Sequence, residues 1–136
     1  MHMDDKIWLK GRKILFVEDD QFFADIISMK LRGYECVVSN VPNAELTLAS
    51  LKKEKPDLII LDLMLPGEMD GFGILEKLKA DPNFRDIPVV ILSNLGRAED
   101  IEKGMRLGAN KYLTKAHVTT SDVIDSLESA LGSIQA

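Results

Sequence analysis

The strict alternation of short apolar runs with longer amphipathic segments constrains the fold of this chain more than any other feature. The apolar runs have the length and composition of buried strands, and they lie at 13–17, 34–38, 58–61, 87–92 and 112–113. Apolar residues recur at helical spacing after each run, most regularly from Val123 to Ile134. This alternation predicts a doubly wound α/β fold, in which a five-stranded parallel sheet carries helices on both faces.

Residues that favour helix ends mark the boundaries of these segments. Gly33 is a natural stop for the first helix, and Pro82 closes the third. Asn43 and Thr120 are the expected N-caps of the second and last helices, because their side chains can accept a hydrogen bond from a free backbone N–H. Cys36 lies in the second predicted strand, where we expect it to be buried as a small apolar residue.

Composition places the chain in a broad class and excludes several others. Its 136 residues fit one domain, and 46% apolar and 29% charged residues are ordinary values for a globular protein. The longest apolar stretch, residues 58–65, is broken by Asp62 and is far too short to span a membrane. The net charge is −5 and no basic stripe is present, so we expect no nucleic-acid binding by this chain alone.

The cysteine count and the N-terminus bear on location and domain boundaries. A single cysteine permits no internal disulfide, and a reducing cytoplasm is the expected location. The first residues show no basic region followed by an apolar one, so we do not expect them to be a secretory signal. We interpret residues 1–11 as an N-terminal extension, with residues 1–3 left from cloning, and residues 12–136 as the domain. Trp8 is expected to cover a bare patch of a helix or of the sheet edge.

Polar side chains follow four of the five predicted strands at the point where each strand ends. Glu18 and Asp19 follow the first, Asp62 the third, Ser93 the fourth and Lys115 the fifth. Ligand sites of doubly wound sheets lie beyond the carboxyl ends of the strands, where the strand order reverses. The sequence therefore predicts one pocket at this edge that collects three carboxylates, a hydroxyl and an amine.

The chemistry of this set points to phosphoryl transfer assisted by a hard cation. Three neighbouring carboxylates repel one another unless a cation intervenes, and oxygen ligands favour Mg²⁺. A carboxylate can attack phosphorus as a nucleophile and form an acyl phosphate. A lysine ammonium can hold a phosphoryl oxygen, and a serine hydroxyl can donate a hydrogen bond to another.

Four sequence blocks in order resemble the response regulator receiver family. They are ILFVEDD at 14–20, DLIILDLMLPG at 57–67, PVVILS at 88–93 and GANKYLTK at 108–115. The resemblance covers about residues 12–133, and its specificity comes from the order and separation of the blocks. It implies a flavodoxin-like strand order, 2-1-3-4-5.

The resemblance also implies roles for the residues at the matching positions. Asp62 is similar to the phosphoacceptor of the family. Glu18 and Asp19 resemble its acidic pair for Mg²⁺, with Asp62 and the main-chain carbonyl of Met64 as further ligands. Lys115 resembles the lysine of the phosphoryl site.

Two further positions match the family's conformational switch. Ser93 resembles the switch hydroxyl, and Tyr112 resembles the aromatic residue whose rotamer follows it. The implied consequence of phosphorylation is a change in the surface formed by the fourth helix, the fifth strand and the fifth helix.

The sequence departs from the family pattern at Ala116, where a proline after a cis peptide bond is usual. A cis bond before alanine would cost about 3 kcal/mol, which favours a trans bond and a differently shaped loop, and the sequence alone leaves the isomer open. Met64 and Leu95 stand at positions that tune phosphoryl loss in the family. Because both are apolar, we expect slow self-dephosphorylation.

The resemblance implies a signalling module of a two-component system rather than an enzyme acting on an external substrate. Its expected partners are a histidine kinase or phosphotransfer protein and an unidentified downstream protein, and it is expected to be a monomer or a phosphorylation-dependent homodimer. Whether it acts alone or was excised from a longer regulator stays open.

Three alternatives belong to other classes. A receiver-like scaffold would act only through protein contacts, without phosphorylation. A flavin protein would need a phosphate cradle after the first strand, where Glu18, Asp19 and Asp20 stand instead. An aspartyl phosphatase would need a second aspartate where Met64 stands.

Overall fold

The computed structural model describes residues 8–135, with side chains described through residue 132. Its strands are Lys13–Val17 (β1), Val37–Val41 (β2), Leu58–Leu61 (β3), Val89–Ser93 (β4) and Lys111–Thr114 (β5). Its α-helices are Gln21–Gly33 (α1), Ala44–Lys53 (α2), Gly71–Ala80 (α3), Ala98–Arg106 (α4) and Thr120–Gln135 (α5). The interpretation of residues 1–3 as cloning residues concerns a segment outside the described residues.

The five strands form one parallel sheet in the order β2-β1-β3-β4-β5. The predicted doubly wound fold and its flavodoxin-like order are therefore confirmed. The register brings the last residues of neighbouring strands side by side, as in the pairs Val17–Leu61 and Ser93–Thr114. This alignment places the residues that follow β1, β3 and β5 at one edge of the sheet.

Alternation along the strands divides the core into two halves, because successive strand residues point to opposite faces. On one face Phe16, Ile60 and Val90 pack with α1 and α5. On the other face Ile59 and Ile91 pack with residues of α2 and α3. Strands β3 and β4 are buried throughout, as expected for central strands of a parallel sheet covered on both sides.

Two strands begin later than the apolar pattern predicted. β2 was expected from residue 34, but Glu35 has a left-handed φ of 66° and the Cys36 N–H donates to Leu31 O, so this turn ends α1. β4 was expected from Ile87, but its N–H donates to Phe84 O in a turn, and Pro88 has no N–H to offer a neighbouring strand. Local hydrogen bonds therefore override hydrophobicity at both strand starts.

The predicted cap of α2 is confirmed, whereas the predicted cap of α5 is off by one residue. Asn43 accepts a hydrogen bond from the Leu46 N–H at 2.8 Å. At α5 the capping residue is Thr119, whose hydroxyl accepts from the Asp122 N–H at 3.1 Å. The Asp122 carboxylate accepts from the Thr119 N–H in return at 2.9 Å. This reciprocal pair satisfies two backbone donors that Thr120, already inside the helix, cannot reach in that way.

The segment before β1 packs against the helices of one face. Leu9 is fully buried in the core formed with α1 and α5. The Trp8 indole lies beside Gly132 of α5, where an added Cβ would come within 3.3 Å of the ring nitrogen. Trp8 thus covers part of a helix, as the sequence predicted. Among the described residues, no helix is both long and apolar enough to cross a membrane.

Cys36 is buried, as expected, and its thiol donates to the Leu9 carbonyl at 3.3 Å. Burial raises the pKa of this thiol to about 11. With a pKa of about 11, about one thiol in a thousand is a thiolate at pH 8, and only the thiolate is nucleophilic.

We expect a thiol reagent such as dithiobis(nitrobenzoate) to label Cys36 of the folded protein slowly at pH 8, and about tenfold faster for each pH unit towards pH 10.

The same chain in concentrated urea supplies the control, since an unfolded thiol is both exposed and ordinary in pKa. Rapid labelling of the folded protein at pH 8 would contradict the burial of Cys36.

Candidate functional site

The carboxyl ends of β1, β3 and β5 bring charged side chains into one pocket. Glu18 and Asp19 follow β1 directly, Asp62 follows β3, and Lys115 follows β5. Glu18 and Asp62 are almost fully buried, whereas Asp19 is exposed. Of the predicted strand-end groups, the structure brings Glu18, Asp19, Asp62 and Lys115 together.

The Asp62 carboxylate is held by one hydrogen bond on each oxygen. Its Oδ1 accepts from the Met64 N–H at 3.0 Å, and its Oδ2 accepts from Lys115 Nζ at 3.2 Å. The Asp62 main-chain N–H donates to Val17 O at 3.1 Å, which ties the residue to the end of β1. These contacts fix the side chain in the pocket and leave its remaining lone pairs available.

The Lys115 ammonium is the counter-charge of the pocket. Its Nζ lies 2.6 Å from Glu18 Oε1 in addition to its contact with Asp62. Burial lowers the pKa of Lys115, but the Glu18 and Asp62 carboxylates outweigh this and leave it above its ordinary value. Burial raises the pKa of Glu18, and the Lys115 ammonium and the Asp20 N–H oppose that rise. Lys115 therefore stays positively charged.

Three carboxylates of the pocket are close enough to share one cation. Glu18, Asp19 and Asp62 each offer an oxygen, and these oxygens lie within 4.8 Å of one another. The donor set consists only of oxygens, which suits a hard divalent ion, and Lys115 alone does not balance three carboxylates. The residues present therefore fit a bound Mg²⁺. Met64, the fourth predicted ligand, has a half-exposed side chain and would contribute through its carbonyl.

Ser93 and Tyr112 lie on neighbouring strands and are linked by the loop after β4. Ser93 is fully buried, and its hydroxyl accepts from the Leu95 N–H at 3.3 Å. The Tyr112 hydroxyl donates to Leu95 O at 2.6 Å. Burial, with Asp100 and Asp62 nearby, raises the pKa of Tyr112 to about 12, so its hydroxyl remains a donor. Both predicted switch residues thus hold the same loop residue.

Every peptide bond in the described part of the chain is trans, including Lys115–Ala116. The trans isomer is the one that the alanine at that position favours. Lys115, Ala116 and His117 form a short 3₁₀ turn that leads from β5 towards α5.

Two residues of the site escaped sequence reasoning. The Asn40 amide donates to Phe16 O at 3.0 Å and to Glu18 O at 3.1 Å, which secures the chain where β1 ends. Gly71 lies so close to the Asp62 carbonyl that a side chain at this position would collide with the backbone. A polar residue near the end of an edge strand and a glycine at a helix start were the available signals.

Comparison with known proteins agrees with the fold and the pocket. The family model for the response regulator receiver domain matches residues 14–128. The response regulator PleD of Caulobacter vibrioides is 39% identical over 103 residues, which are 76% of this chain and 22% of PleD. The chain therefore spans about a fifth of the length of this relative.

Two solved structures show the same architecture. The phosphorylated cyanobacterial phytochrome response regulator RcpA aligns with a TM-score of 0.76 at 31% identity, over 88% of this chain and 90% of RcpA. The receiver domain of the sensor histidine kinase PA1611 from Pseudomonas aeruginosa has a magnesium ion coordinated in its active-site cleft. It aligns with a TM-score of 0.80 at 27% identity, over 90% of this chain and 98% of that domain.

The sheet order and the acidic pocket at its carboxyl edge define a receiver domain, a signalling module rather than a conventional enzyme. The chain belongs to the response regulator receiver family, whose members take part in phosphorylation-dependent signalling by two-component systems.

The buried ion pairs of Lys115 with Glu18 and Asp62 predict a large loss of stability when the lysine is replaced. Lys115→Met would leave Glu18 and Asp62 buried without a counter-charge. We expect the free energy of unfolding to fall by about 3 kcal/mol in the absence of divalent ions, as measured by urea denaturation.

Lys13→Met is the matched control, because Lys13 forms an exposed pair with Glu54 at 2.9 Å. Its removal should cost far less stability than the removal of Lys115, because water and salt screen an exposed pair. An equal fall in the free energy of unfolding for Lys115→Met and Lys13→Met would contradict a special role of the buried contacts of Lys115.

Proposed function

We propose that this chain accepts a phosphoryl group on Asp62 from a phosphohistidine of a histidine kinase or phosphotransfer protein. The observation that carries the proposal is the placement of the Asp62 carboxylate. It is buried beside the Lys115 ammonium, and two more carboxylates lie within 4.8 Å. A structural carboxylate would not need this excess of negative charge around it, because each added carboxylate raises the cost of ionisation.

The transfer forms one bond and breaks one. An Asp62 oxygen attacks the phosphorus, the bond from phosphorus to the histidine ring nitrogen breaks, and that nitrogen keeps the electron pair and takes up a proton. The product on this chain is an acyl phosphate. Lys115 would hold one phosphoryl oxygen as a point charge, and the Ser93 hydroxyl would donate to another.

Glu18, Asp19, Asp62 and the Met64 carbonyl would hold Mg²⁺ in this scheme. The ion would neutralise the charge that develops on the phosphoryl oxygens. The magnesium in the cleft of the PA1611 receiver domain and the phosphorylated form of RcpA support this reading by similarity. Lys115 would then exchange part of its contact with the carboxylates for contact with the phosphoryl group.

The signal would leave through the surface of α4, β5 and α5. Ser93 and Tyr112 both bond to Leu95, at 3.3 and 2.6 Å. A phosphoryl group that draws the Ser93 hydroxyl towards itself would break its bond to Leu95 and release the loop that Tyr112 also holds. An unidentified downstream protein would read the result, in a monomer or a phosphorylation-dependent homodimer located in the cytoplasm.

Treatment with acetyl phosphate and Mg²⁺ tests the proposal. Intact-mass measurement should show one added phosphoryl group on the unchanged chain and none on Asp62→Asn, because the amide oxygen is a poor nucleophile. Asp57→Asn is the control, since Asp57 precedes the same strand at its opposite end and accepts from the Lys13 N–H at 2.8 Å.

A chain that gains no phosphoryl mass with Mg²⁺ would support the alternative of a scaffold that acts only through protein contacts. Modification that persists in Asp62→Asn would place the acceptor elsewhere.

The phosphorylated state should be long-lived. Met64 and Leu95 follow Asp62 and Ser93 by two residues and have apolar side chains, which offer no hydrogen bond to orient an attacking water. We expect the acyl phosphate to persist for many minutes after acetyl phosphate is removed, and Met64→Asn to shorten its lifetime. The decay of the phosphorylated mass gives the rate, and a half-life of seconds in the unchanged chain would refute this expectation.

A further inference from the structure

The Lys115 ammonium has a neighbour in the pocket that is neither acidic nor part of the phosphoryl site. Its Nζ lies over the ring of Phe23, 4.5 Å from the ring centroid. The face of an aromatic ring carries partial negative charge and attracts a cation at this distance. The ammonium thus touches Glu18 and Asp62 and rests on an aromatic face as well.

Phe23 is held so that its ring keeps this place. It lies in the first turn of α1, whose start is fixed by Asp20, which accepts from the Phe23 N–H at 3.1 Å. The ring meets that of Phe16 in an edge-to-face arrangement, with centroids 6.4 Å apart and planes at 70°. Phe16 is fully buried in β1, so it gives Phe23 a rigid support.

The contact with Phe23 matters because the other two contacts of Lys115 are with Glu18 and Asp62. In the proposed function, these two carboxylates would bind the metal ion or become phosphorylated. Glu18 and Asp62 would turn towards a divalent ion, and on becoming an acyl phosphate Asp62 would exchange its carboxylate charge for that of the phosphoryl group. Neither metal binding nor phosphorylation involves the ring of Phe23. It can hold the long, flexible lysine over the pocket when the carboxylates no longer do.

We propose that Phe23 is a positioning residue for phosphoryl transfer, which acts by holding the Lys115 ammonium through a cation–π contact. The inference rests on the proposed function. A preplaced ammonium lowers the ordering cost of the transfer, since a lysine side chain otherwise loses much rotamer freedom when it is fixed.

Stepwise fluorination of Phe23 tests this, because fluorine withdraws the negative charge from the ring face while nearly preserving its shape. The measured quantity is the rate of phosphorylation by acetyl phosphate with Mg²⁺, for chains with one, two or three fluorines on the ring at position 23. We expect the rate to fall with each added fluorine, by about three- to tenfold at the third.

The same fluorine series at Phe22 is the control, since this neighbouring ring is 77% exposed and a small phosphodonor needs no docking surface. Phe22 fluorination should leave the rate unchanged. Equal rates across the Phe23 series, or a loss seen only in Phe23→Leu, would overturn the inference, because packing alone would then explain the role of Phe23.

A second measurement does not depend on phosphorylation. The ring should shift the proton resonances of the Lys115 methylene next to Nζ upfield, and Phe23→Leu should abolish this shift while the protein stays folded. A missing shift in the unchanged chain would refute the contact. A chain that shows the shift but gains no phosphoryl group would refute the proposed function instead, so the two failures are distinguishable.

Discussion

The charge balance around Lys115 is the interaction on which the rest of the pocket depends. One ammonium lies 2.6 Å from Glu18 and 3.2 Å from Asp62, inside a part of the protein where an unpaired charge would be costly. The balance exists only if β1, β3 and β5 end at the same edge, because each charged residue directly follows its strand. The parallel register of the sheet is therefore a condition for the electrostatics of the site.

Close backbone packing keeps these strand ends in place. The Asn40 amide binds two carbonyls at the end of β1, and Gly71 lets the start of α3 approach the Asp62 carbonyl without a side chain between them. Neither residue carries charge into the pocket. They restrict the backbone from which Glu18 and Asp62 project. Less conformational entropy is therefore lost when the two carboxylates are held facing Lys115.

The sequence predicted most of the sheet and the charged groups of the pocket. Buried strands are apolar, and the charged residues follow them directly, so both features can be recognised from residue type. It misplaced the starts of β2 and β4 and the cap of α5, where single hydrogen bonds decide between neighbouring residues. It predicted no role for Phe23. Its contact with Lys115 depends on how α1 lies against β5, and hydrophobic spacing carries no information about that distance.

In the proposed switch, the route from the pocket to the outer surface would be short because it would use the backbone of one loop. Leu95 receives a bond from Tyr112 and donates one to Ser93, so a change at either side chain acts on the same residue. Gly104 of α4 packs closely against the sheet, since a Cβ there would lie 3.0 Å from the Tyr112 ring and 2.7 Å from Ile91. The missing side chain lets α4 rest directly on Tyr112. In the proposed switch, a movement of Tyr112 would therefore have to displace α4, because a close-packed contact transmits a shift instead of absorbing it.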